Sequence, residues 1–181
     1  MTPARKSPDR LARLVREEFQ ISAKRSLLIT GSRGAGKTTL LEHLCAGQAL
    51  PGVCSWAERA ADGTACTVWL QDRATGRRAA AGRWRQGRMH PCPEAFETLG
   101  VQALRAAAVF PGEWAAVDEV GFLEQQCPEY CAALYRLFDA RRVIAVLRKQ
   151  DLPLQQALLS RPDVWVVDLD DQRLPADDSD A

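Results

Sequence analysis

The chain lacks several things, and each absence narrows what it can be. No apolar run approaches the roughly 20 residues needed to cross a bilayer as a helix, and the opening stretch, Met1–Arg10, is polar, without the apolar centre of a secretion signal. Both absences point to a cytoplasmic protein that makes no membrane contact. Histidine is scarce, with only His43 and His90, and no cysteine stands at zinc-like spacing from either. The six cysteines, at positions 45, 54, 66, 92, 127 and 131, form no C-x-x-C pair. They read as reduced thiols, several of them buried. A metal or redox pair at Cys127 and Cys131, four residues apart, is the alternative and lacks further ligands. A formal charge of +1 gives no bulk field to attract nucleic acid or a membrane surface. Lysine is also rare, four residues against twenty arginines, a bias with no functional reading. Internal repeats and low-complexity segments are absent.

What remains is a chain of 181 residues, 46% apolar and 26% charged, sized for one domain with a substantial core. Residues 1–8 and the acidic end, 171–181, read as flexible, and the acidic character begins at Asp168. A helix is expected over about 9–20, capped by Asp9, with Leu11, Leu14, Val15 and Phe19 at helical spacing. Strands are expected at Ser26–Thr30, Gly52–Trp56, Trp114–Asp118, Val143–Leu147 and Val164–Val167. Between them lie helical patterns ending near Cys45, from Glu94 to about Ala108 (weakened by Gly100), from Pro128 to Ala140, and from Asp151 to Leu159. Apolar strands alternating with helices predict an α/β fold, a mostly parallel central sheet with helices on both faces. Two further runs, Ala65–Gln71 and Arg78–Trp84, joined by Asp72-Arg73-Ala74-Thr75-Gly76, predict an inserted β-hairpin.

The most informative stretch is Gly31-Ser32-Arg33-Gly34-Ala35-Gly36-Lys37-Thr38, followed by Thr39. It leaves the first apolar strand and enters a helix, the context that gives the Walker A pattern, G-x-x-x-x-G-K-T, its meaning. Glycines let the backbone curl so that successive N–H groups point at a phosphate, and the helix adds its positive end. Lys37 can reach the β- and γ-phosphates, and the Thr38 hydroxyl can ligate Mg²⁺. A nucleoside triphosphate, ATP or another, is the expected ligand over residues 31–39. Arg33 lies within the loop at a variable position, facing phosphate or solvent.

A phosphate loop needs a carboxylate at the end of another buried strand. Asp118 fits that place, and Glu119 follows it directly. Asp118 would hold Mg²⁺ through water, and Glu119 would orient and polarise the attacking water, an arrangement that suits hydrolysis better than transfer to a bound acceptor. The rival reading of Glu119 is the start of a solvated loop. Arg148, with Lys149, emerges from the carboxyl end of Val143–Leu147, where ligands of open α/β sheets bind. It is a candidate sensor of the γ-phosphate, or else a surface charge at a strand end. Six arginines, 73, 77, 78, 83, 85 and 88, fall within sixteen residues that carry no acid, with Trp84 among them. That hairpin reads as a charged sheet edge, or as a grip for nucleotide, nucleic acid or an acidic partner.

Together these stretches resemble the THEP1-type nucleoside-triphosphatases, a P-loop family, from about Leu27 to Leu174. The likeness rests on Gly31–Thr39, and on Val117-Asp118-Glu119-Val120-Gly121-Phe122-Leu123-Glu124, similar to that family's D-E-I-G-x-M-E segment. It rests also on the layout between them, with Glu58, the Thr75-Gly76 turn, Phe96 and Leu104. The resemblance implies slow, Mg²⁺-dependent hydrolysis of ATP, GTP and other nucleoside triphosphates. It also implies the P-loop class in which the Asp118 strand is not adjacent to the phosphate-loop strand. Where the family tends to show Asn-Arg, this chain has Asp171-Gln172-Arg173, and Gly87–Pro91 replaces an expected tyrosine-containing segment. No guanine-reading N-K-x-D segment is present. Lys37, Glu119 and Arg148 are the candidate catalytic residues, and Thr38 and Asp118 the candidate metal ligands. Two other readings stand: a nucleotide-gated module that docks a protein through the Arg73–Arg88 hairpin or the N-terminal helix, and a small-molecule or nucleotide kinase.

Overall fold

A computed structural model of the chain describes residues 7–61, 63 and 66–171. Eight strands form one sheet in the order β5-β4-β3-β2-β6-β7-β1-β8. Five of them, β2 (Gly52–Arg59), β6 (Trp114–Val120), β7 (Arg142–Leu147), β1 (Ser26–Thr30) and β8 (Val164–Asp168), make the parallel centre. The Asp118 strand, β6, is separated from the phosphate-loop strand, β1, by β7, as the family resemblance implies. On β1 all five residues are buried, and successive side chains enter opposite layers: Leu28 packs under one face, Leu27 and Ile29 under the other.

One layer consists of α4 (Val101–Val109), α5 (Pro128–Ala140) and α6 (Pro153–Leu159), with the short α3 (Pro93–Ala95). The other consists of α1 (Pro8–Ser22) and α2 (Lys37–Cys45). The predicted helix from Glu94 is thus α3 and α4 joined by a π-helical turn, Phe96–Gly100. Gly100 belongs there for a packing reason. A Cβ on it would stand 2.7 Å from the Tyr130 ring, which is wholly buried and meets Phe96 edge-on.

Several expectations shift. The first helix begins at Pro8, and Ser7, not Asp9, is its cap: the Ser7 hydroxyl accepts from the Arg10 N–H, because proline is best placed in the first turn. Asp9 instead pairs with His43 on α2. The apolar face of α1 (Ala12, Val15, Phe19) packs into the core. β2 does not stop at Trp56 but runs to Arg59, because β3 (Cys66–Asp72) pairs with it antiparallel after β6 has diverged. The hairpin of β3 and β4 (Arg78–Arg85) gains a further strand, β5 (Arg88–Pro91), through Gln86 and Gly87, both at positive φ as a two-residue hairpin turn requires. The acidic end does not fray at Asp168: β8 runs to Asp168, and Leu169 N–H donates to Thr30 O. The start of the expected strand at Ala65, residues 1–6, and Gln172-Arg173 with the rest of the tail lie outside the described residues. Among the described residues no helix is long and apolar enough to cross a membrane.

Candidate active site

β1 delivers the chain to Gly31, whose φ of +143° and close neighbour Leu169 leave little room for a side chain. Gly34 and Gly36 also have positive φ, and Gly36 caps the N-terminus of α2. The curl brings Lys37 back over its own loop, where its Nζ donates to Gly31 O and Ser32 O, each at 2.9 Å. A second fastening comes from beyond β8. Ser32 donates its N–H and hydroxyl to Asp170 at 2.7 and 2.8 Å, and Lys149 Nζ bridges Asp168 (2.8 Å) and Asp170 (3.1 Å). The Ser32 donors, with Lys149, hold the Asp170 carboxyl down to about 2.

At the end of β6, Asp118 is 5% exposed, and its carboxylate accepts from the Thr38 hydroxyl at 3.2 Å. Burial pushes its pKa up to about 6 against the pull of that hydrogen bond. A bare anion is therefore disfavoured here and a cation would relieve it. Two hard oxygen donors suit Mg²⁺, which takes one or two protein ligands and keeps water on the rest of its octahedron. Glu119 points into the cleft and is clamped by Arg148, Nε to Oε1 at 2.8 Å and Nη2 to Oε2 at 3.1 Å. The pair raises the Arg148 pKa further, chiefly through the hydrogen bond to Glu119.

Behind these residues the turn after β6 is locked from within. Glu124 is 3% exposed and accepts from the Gly121 N–H. Burial lifts its pKa to about 7. Gly121 O accepts from both Gln125 (2.8 Å) and the buried Gln155 (3.0 Å), which bond each other at 3.0 Å. The phosphate loop, Glu119, Arg148 and one face of β2–β5 enclose a single cleft of about 980 Å³.

Residues 26–174 match the family described as NTPase. The chain belongs to the THEP1-type NTPase family. Its fold is also that of the crystal structure of THEP1 from the hyperthermophile Aquifex aeolicus, with a TM-score of 0.63 at 20% identity over 80% of this chain and 89% of that one. No curated protein matches the chain by sequence.

In this family member, residues 31–39 and Lys37, Thr38, Asp118, Glu119 and Arg148 meet at the carboxyl end of the sheet, with Arg33 exposed on the cleft wall. The six arginines are divided between different partners and sheet faces, with Arg83, Arg85 and Arg88 on one face of β4 and β5. Arg73 binds Leu50 O and Glu42, and Arg78 lies 4.5 Å over the Trp69 ring. Trp84 shares a sheet face with Cys66 and Met89, so strand alternation sends Arg83 and Arg85 to the other side. The Cys127 and Cys131 thiols both lie against α5 and the preceding turn. Burial pushes each to about 11, and Cys131 donates to Glu124 O at 3.4 Å. Among the described residues no group of three His, Cys, Asp or Glu could hold a metal. Sequence reasoning passed over Glu124, Gln155 and Asp170. Glu124 was visible as the last letter of the family segment, and Gln155 as a polar residue between Leu154 and Leu158 on a short apolar helix. Asp170 gave no signal, because only the fold brings it to Ser32.

Proposed function

We propose that the chain is a Mg²⁺-dependent nucleoside-triphosphatase that releases the terminal phosphate of ATP, GTP and related triphosphates. One observation carries the reading: the hydroxyl–carboxylate pair of Thr38 and Asp118, with Glu119 next in sequence, lies in the same cleft as the phosphate loop. The triphosphate would lie against the N-terminus of α2 and the loop amides. Lys37 would exchange its two carbonyl acceptors for phosphate oxygens. Thr38 and Asp118 would hold Mg²⁺, which supplies neutralisation of the charge that builds on the phosphates.

The Arg148–Glu119 pair supports a division of labour. Both carboxylate oxygens of Glu119 are engaged by Arg148. An incoming terminal phosphate competes for the Arg148 guanidinium, and as Arg148 turns toward it, Glu119 is freed to orient and polarise the attacking water. Substrate thus assembles its own base. No guanine-reading N-K-x-D segment occurs in the chain, so the reading is not restricted to GTP and extends to all four common triphosphates. The test is phosphate release from ATP, GTP, CTP and UTP, with Mg²⁺ and with EDTA. The expected result is release from each that EDTA abolishes. No release from any of them by protein that remains folded overturns the proposal.

A further inference from the structure

Hydrolysis needs water beside Glu119 and nothing more, yet the cleft continues past Glu119 onto a wall built for something larger. Register puts Arg59, Cys66, Trp84 and Met89 side by side across β2, β3, β4 and β5, and the neighbouring row opens with Ala57 and Val68. All six line the cleft on one sheet face. Next in the second row is Gly82, which leaves a shallow place that the Met89 sulfur closes, 3.0 Å from where a Cβ would sit. Trp84 is 43% exposed, and Phe122, just after Glu119, is 37% exposed on the same cleft. These are large apolar surfaces held open to water, with a guanidinium in the same row as the indole.

We infer that this wall is a second-ligand site, taking a planar ring with an anionic group, the chemistry of a nucleoside monophosphate. The inference rests on the triphosphate occupying the phosphate loop. Its terminal phosphate must then face Glu119, so its own nucleoside points away from Glu119. Strand order puts the wall on the opposite side, beyond β6 from β1, so in that pose the substrate's base is turned away from it. The ring stacks on Trp84 between Met89 and Phe122. Arg59, two strands away at about 4.8 Å per strand, takes the anionic group.

The experiment is calorimetric titration of AMP and UMP, and of adenosine and inorganic phosphate alone, into protein saturated with Mg²⁺ and a nonhydrolysable ATP analogue. Wild type is expected to bind both monophosphates. Trp84→Ala should weaken AMP at least about tenfold, the effect of losing a base–aromatic stack, while Trp84→Phe retains binding. Arg59→Ala should remove the advantage of AMP over adenosine. Monophosphate binding that Trp84→Ala leaves unchanged overturns the site, as does no binding to protein that has taken up the analogue. If Trp84→Ala weakens the analogue itself as much as AMP, the wall serves the substrate's own base and the second site is refuted. Failure of the wild type to bind the analogue at all would instead count against the proposed hydrolase.

Discussion

Glu124 offers the sharpest check on how the site is held. Its carboxyl is buried against the Gly121 N–H, and its pKa rises from 4.5 to about 7 because burial penalises the charge more than the hydrogen bond helps it. A carboxyl whose folded pKa is raised keeps its proton in the native state while the unfolded chain has lost it. Native protein then binds more protons between the two values, and stability falls as pH rises from about 4.5 through about 7, levelling off within about a unit above that. At about 1.4 kcal/mol per pH unit the whole effect is about 3 kcal/mol. Asp118 contributes in the same sense, but its window runs from 3.8 to about 6. Asp118 is present in both proteins compared below, so its titration cancels in the difference, and between pH 6 and pH 7 linkage assigns Glu124 about 1 kcal/mol.

The assay is urea unfolding of wild type and Glu124→Gln at half-unit steps from pH 5 to pH 8, with EDTA present so that Asp118 meets no metal. The glutamine carbonyl can still accept from Gly121, and the side chain cannot ionise. Wild type should lose stability through the interval, and the variant should lose about 1 kcal/mol less between pH 6 and 7. Parallel curves for the two proteins would refute the reasoning, since they would mean that Glu124 titrates alike folded and unfolded.

Glu119→Gln should bind triphosphate as wild type does and lose turnover by about a hundredfold or more, the usual worth of a general base; wild-type turnover in a phosphate-release assay would remove Glu119 from its role. Lys37→Ala should abolish release altogether, read in the same assay. Arg148→Ala frees Glu119 but loses the cation for the terminal phosphate, and the second effect should win, with kcat down about a hundredfold and triphosphate affinity little changed. Gly52→Ala tests the sheet rather than the site: an added Cβ would lie 2.0 Å from Ala116 O at a φ of +133°, so the variant should unfold at a far lower urea concentration, and a midpoint equal to wild type would show that β2 can withdraw from β6.

The parts of this molecule that were legible in its sequence are those whose physics is local. Leu27–Ile29, buried on both faces, needs only an apolar run, and Gly31–Thr38 needs only a curl between a strand and a helix. Asp118 could be placed in the last part of a buried strand because a carboxylate follows four apolar or small residues, although the strand runs on past the expected end at Asp118 to Val120. What sequence reasoning missed depends on which distant segments meet. The third strand of the antiparallel extension hangs on the Gln86-Gly87 turn, where glutamine hides a hairpin that asparagine would have announced. Trp84 stands among arginines in the sequence, but period-two alternation in β4 separates them, and its companions Arg59, Cys66 and Met89 come from three other strands. The same holds for Asp170, which lies 138 residues from Ser32 and reaches it only because β8 pairs with β1. The chemistry at the phosphate loop is therefore written in one contiguous segment, whereas the fastening of that loop and the shape of the far wall are properties of strand order. A substitution that shifts β8 or β5 should alter ligand binding without touching any residue of the Walker A segment.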